Sequence, residues 1–209
     1  MTEAEWLEST DVIAMLTSLA GKTTDRKLRL FGCACCHRAW DLLAEDCFRN
    51  AVEVAERFAD GLADKKQLST ARSLSGAALE RNGLAGVSGP AYCAGGSAWS
   101  TTRMPAWTAA IYPLWVFTGD TERTAQAALL HDVFGNPYRP VAINADWLTP
   151  DVVSRAETIY AERAFERMPA LGDALEESGC RDLDILCHCR EPSEHVRGCW
   201  LIDALLGKS

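Results

Sequence analysis

The sequence predicts an all-α protein, an irregular bundle of short helices interrupted by one long glycine-rich loop. Three observations lead there. Apolar residues recur every three or four positions through most of the chain, the spacing of one helix face. Threonine, serine and aspartate stand where such stretches begin, and glycine where they end. No stretch alternates apolar and polar with period two, and no strand–helix–strand alternation is visible, so nothing argues for a sheet.

Each element has its own signal. After a short lead-in around Trp6 and Leu7, Ser9 or Thr10 caps a helix over 11–20 that Gly21 closes. Asp11 at its start suits the helix dipole. Thr24 and Asp25 open the next helix, with Leu28, Phe31, Cys35 and Leu42 along its apolar face. A further helix carries Val52, Val54, Ala55 and Phe58 to about Gly61, and another runs over 64–81 with Leu68, Ala71, Leu74 and Ala78 apolar. Asn82 and Gly83 stop it. From Gly83 to Pro105 the composition shifts to glycine, proline, serine and threonine, which reads as a loop or linker. Tyr92 and Trp99 within it suggest a surface for a partner. The stretch 106–117, AWTAAIYPLWVF, reads as a buried helix divided at Pro113. Thr121 and Glu122 open a helix that runs to Phe134, and FGNPYRPV is an extended connection. Thr149-Pro150-Asp151 begins a helix expected to reach Arg167. Shorter helices follow over 170–178, 183–189 and 193–206. The chain thus divides into helical parts 1–82 and 106–209 around the loop 83–105, or forms one continuous domain.

Composition narrows the function. The 209 residues carry 29 acids against 21 bases, a formal net charge of −8. A nucleic-acid binder needs a basic surface to displace phosphate counterions, so that class is disfavoured. No apolar run approaches the 18 or so residues of a membrane span. The start, MTEAEWLESTD, has neither a basic opening nor an apolar stretch, which points to a cytoplasmic protein. In a reducing compartment nine cysteines are apolar filler, metal ligands or reactive thiols rather than a disulfide framework.

Two cysteine–histidine clusters carry the chemical options. Near the C-terminus, Cys187, Cys189, His195 and Cys199 make a three-cysteine, one-histidine set, a common composition for structural zinc. His195 and Cys199 are four apart and would share a helix face. Cys187 and Cys189 would converge only where Pro192 has unwound the helix. The second cluster, Cys33, Cys36 and His37, lies inside a strong helical pattern; it offers half a tetrahedral site or simply buried side chains. His131-Asp132 offers half of an acid–base pair, but neighbours on a helix point apart, and a solvated helix end is the better reading. No nucleophile elbow, phosphate-binding lysine loop or H-E-x-x-H is present.

Three stretches carry a resemblance: DRKLRLFGCACCHRAW; the long segment LLHDVFGNPYRPVAINADWLTPDVVSRAETIYAERAFERMPALGDALEESGC; and CHCREPSEHVRGCWLIDALLGK. Together they resemble a heavily duplicated family of planctomycete bacterial proteins with no established activity. The resemblance implies a bacterial cytoplasmic protein and transfers no catalytic residue. A large paralogous set suits modules that differ in partner.

The leading expectation is therefore a non-enzymatic helical interaction or adaptor domain that takes a protein partner. Two alternatives stand beside it. One is a zinc- or iron-binding protein using the Cys/His clusters, structural or hydrolytic. The other is a subunit of a larger assembly.

Overall fold

The computed structural model describes residues 1–43, 45–82 and 120–208. Every regular element among them is helical. Ten α-helices are described: α1 (Glu3–Glu8), α2 (Val12–Ser18), α3 (Asp25–His37), α4 (Asp46–Ala59), α5 (Lys65–Asn82), α6 (Asp120–Phe134), α7 (Pro150–Glu162), α8 (Met168–Glu177), α9 (Leu183–Arg190) and α10 (Trp200–Leu205). The expected all-α class holds. The loop 83–105, with Tyr92 and Trp99, and the helix expected over 106–117 lie outside the described residues. No described helix is long and apolar enough to cross a membrane.

Most helix starts follow side-chain capping. Thr24 and Thr149 accept from Lys27 N and Val152 N, and Pro150 occupies the first turn of α7. Asp64 and Gln67 form a reciprocal pair at the start of α5. At α2 the cap is Asp11, which accepts from Ala14 N. The aspartate expected inside the first turn is thus the cap itself.

Three apolar clusters build the interior. One joins α1, α2, α3 and α6 through Trp6, Leu16, Phe31 and Leu130. A second joins α3, α4 and α5 through Cys33, Cys36, Phe48, Val52 and Leu68. The third joins α7 to α10 through Ile159, Leu171, Ile185 and Ile202. Helix α3 belongs to two of them, which is why nine consecutive residues from Leu28 to Cys36 are buried. Leu42 falls beyond α3 in a short 3-10 turn and is exposed, as is Leu74 on α5, so neither joins the predicted apolar faces.

Two other expectations change. The helix predicted to reach Arg167 ends at Glu162, because Arg163 adopts left-handed backbone angles (φ 55°). That conformation costs an arginine roughly 1–2 kcal/mol. Its guanidinium pairs with the buried Glu56, which offsets the strain. The helix predicted over 193–206 begins only at Trp200, since Gly198 takes φ 96° and breaks the helical path.

Buried charges tie the clusters together. Arg26 bonds both Asp60 (3.0 Å) and Asp203 (2.7 Å), and Tyr160 donates to Asp60 at 2.6 Å. Arg197 Nε lies 3.1 Å from the second oxygen of Asp60. The two aspartates are almost wholly enclosed, and these partners offset the cost of burying them.

Candidate metal centre

Among the described residues, one group brings metal-ligating atoms together: Asp132, His188, His195 and Cys199, whose ligand atoms all lie within 4.8 Å of one another. Three segments supply them. Asp132 sits in the last turns of α6, His188 on α9, and His195 and Cys199 on the turn that leads into α10. The centre therefore lies at the seam where the α1–α2–α3–α6 cluster meets the α7–α10 cluster. Val133 belongs to the first and Cys199 to the second.

Three of the donor–donor distances are short. His195 Nδ1 donates to Asp132 Oδ1 at 2.6 Å, and His188 Nε2 stands 3.5 Å from the same oxygen. His188 Nε2 is 3.1 Å from Cys199 Sγ. Bonds of about 2.0–2.3 Å to a central zinc imply donor–donor edges of about 3.3–3.8 Å. A zinc ion placed among them would require the tightest pair, Asp132 and His195, to open by roughly 0.7 Å.

Outer contacts fix each donor's direction. Asp132 Oδ2 accepts the Val196 N–H at 2.9 Å, which leaves Oδ1 turned to the centre. His195 Nε2 faces the Ser193 hydroxyl at 3.4 Å, so its Nδ1 is the inward nitrogen. Trp200 packs on His188, with ring centres 4.9 Å apart. Lys27 is the main brace. Its ammonium donates to Val133 O (2.9 Å) and Gly198 O (2.7 Å), each one residue from a candidate ligand, and pairs with Asp203 (2.6 Å). Such outer partners hold ligands in register. Gly198 has a second constraint besides its φ: a side-chain carbon there would stand 3.0 Å from Leu30.

Electrostatics suit a cation. Burial pushes His188 down to about 4, helped by the neighbouring His195 and opposed by Asp132. The imidazole is thus neutral at pH 7, the ligating form. Burial, then the charge of Asp132, pushes the Cys199 thiol well up. Backbone N–H groups of Ile202 and Leu201 and the charge of Lys27 pull the other way. A bound dication would reverse this balance and hold the thiolate.

Sequence-based candidates divide as follows. His195 and Cys199 are in the centre, but a turn rather than a shared helix face brings them together. Cys187 is exposed, and neither it nor Cys189 belongs to the group. Cys189 faces α8, where its Cβ lies 2.8 Å from the position a side-chain carbon on Gly172 would take, so glycine is what lets the helices approach. Burial pushes its thiol to about 12. Cys33 and Cys36 pack among α3, α4 and α5, and His37 pairs with Glu56 at 2.9 Å while stacking on Trp40. His188 and Asp132 lie outside the ligand set that the sequence suggests. Each had a signal. An aspartate inside the apolar run AALLHDVF must be partnered if buried, and it is only 4% exposed. His131 and Asp132 do point apart, His131 donating to Trp6 O at 3.0 Å, but the pair forms no solvated helix end. Comparisons with family models, with curated proteins and with solved structures find no match to this chain.

Proposed function

We propose that the protein binds one zinc ion through Asp132, His188, His195 and Cys199, and that the ion is structural. The observation that carries this reading is the convergence of four donors from three chain segments in a nearly dry seam. One carboxylate oxygen, two imidazole nitrogens and one thiolate suit zinc, which accepts all three donor types tetrahedrally. Magnesium and calcium prefer oxygen shells, and iron–sulfur clusters prefer thiolates. Four protein donors fill a tetrahedral shell and leave no position for a reacting water. Of the four, only His188 lines the large neighbouring cleft, so three of the donors are shut off from it, which also favours a structural role over a hydrolytic one. Zinc here would cross-link α6, α9 and the start of α10.

The interaction-module expectation rests on amphipathic helices, an aromatic-bearing loop and the lack of a convergent catalytic set; a structural zinc is compatible with it, and the grouping of these four residues supports naming the metal first. The test is elemental analysis of the purified chain together with cobalt substitution. About one zinc per chain, and a cobalt spectrum carrying a thiolate charge-transfer band that vanishes in Cys199→Ser, are the expected results. Less than roughly a tenth of an equivalent after zinc loading and desalting overturns the proposal.

A further inference from the structure

Beside the metal seam, the structure has a cleft of about 800 Å³, within the size range of small-molecule sites. It runs between the α2–α3 connection on one side and α9–α10 on the other. Its wall is rich in rings: His131, Phe134, His188 and Trp200 all line it and all are partly exposed. Trp6 stands behind them, its indole N–H bonded to Gly135 O at 3.0 Å, so this wall is rigidly backed.

The charged groups on the cleft are not equivalent. Asp203 is saturated by Arg26 and Lys27, and Asp184 is bonded to Arg139 at 2.8 Å. Glu191 is the third acid on the lining. Lys22 and Lys208 differ from the other cations. Their ammonium groups lie over the rings of Tyr138 (4.9 Å) and Tyr160 (4.6 Å), with no carboxylate partner among the described residues. A cation resting on an aromatic face keeps donors for a second partner. In a chain of net charge −8, two such lysines beside a ring-lined cleft are a local reversal of sign.

We infer that this cleft binds a small planar aromatic carboxylate. The ring system lies along His188, Trp200 and Phe134, and the carboxylate meets Lys22 and Lys208. Burial of the aromatic body supplies the affinity, and the two ammonium groups select the anion over its uncharged analogue. The site shares His188 with the proposed zinc centre, but Lys22, Lys208, Phe134 and Trp200 are not ligands, so binding should not require the ion.

Calorimetric titration of the full chain with 2-naphthoate and with uncharged 2-naphthamide tests this. The expected result is one naphthoate per chain, bound at least tenfold more tightly than the amide. The double variant K22E/K208E should abolish that preference. Ala204 is exposed on α10 and lines the cleft, so Ala204→Trp should fill it and weaken naphthoate at least tenfold without lowering the melting temperature. Both titrations are run on zinc-loaded and on chelated protein. Binding that persists after chelation supports the cleft whether or not the metal reading stands. Equal affinity for acid and amide, indifference to both variants, absence of heat at millimolar ligand, or binding that requires zinc would each overturn it.

Discussion

Cys199→Ser isolates the metal from the fold. The Cys199 side chain is fully buried, and burial keeps its thiol neutral when no ion is present. Serine then replaces one small neutral group with another, 3.1 Å from His188 Nε2, and a hydroxyl there retains a hydrogen bond. In chelated protein the substitution should therefore cost no more than about 1 kcal/mol. With zinc the two proteins part. An ion present at a hundredfold excess over its dissociation constant stabilises the native state by about 2.7 kcal/mol. For a chain of this size that raises the melting temperature by roughly 5–11 °C. Differential scanning calorimetry in zinc and in EDTA should show that shift in the wild type and less than about 1 °C of it in Cys199→Ser. An equal zinc shift in both proteins would refute the assignment of Cys199. A serine variant that melts far below wild type in EDTA would refute the view of the thiol as an unstrained neutral group.

Further outcomes follow from the same geometry. Lys27→Met removes the brace between Val133 and Gly198, so zinc affinity measured by chelator competition should fall about 10–100-fold, with partial rescue by Lys27→Arg. His188 has a native value of about 4 against an ordinary 6.5, so the unfolded chain binds the extra proton. Its contribution is complete above pH 6.5 and is lost as pH falls toward 4. Denaturation of zinc-free protein at a series of pH values should show about 3 kcal/mol disappearing across that window, and none of this component in His188→Gln. Gly198→Ala forces a side chain into left-handed backbone against Leu30 and should cost about 1–3 kcal/mol in urea denaturation. Asp203→Asn leaves Arg26 and Lys27 without their shared buried partner and should cost about 3–5 kcal/mol, with little change in zinc stoichiometry.

Much of the fold is legible one residue at a time. Thr24, Thr149 and Pro150 mark helix starts because capping is a local event, settled within four residues by one side-chain oxygen and one N–H. The apolar spacing of Leu68 and Ala71 forecasts burial for the same reason. Arg163 and Gly198 defeat that reading. Arg163 accepts a left-handed conformation only because Glu56, 107 residues earlier, waits for its guanidinium. Gly198 ends the helical path where Leu30, Lys27 and Asp132 demand a turn.

The candidate centre divides in the same way. Its chemistry was visible near the C-terminus, where His195 and Cys199 follow a Cys-His-Cys triplet. Which member of that triplet faces inward was not, because successive helix positions point about 100° apart and only the packing of α9 on its neighbours selects His188. Asp132 lies 56 residues before the nearest other donor in sequence, and nothing local pairs them. The sequence by itself determined an acidic, helical chain with its caps, its apolar faces and a stock of thiols and imidazoles. The tertiary structure alone decided which four of those groups come together, because that depends on how α6, α9 and the turn before α10 pack, with Lys27 bridging the first and last of them. No single segment contains that information.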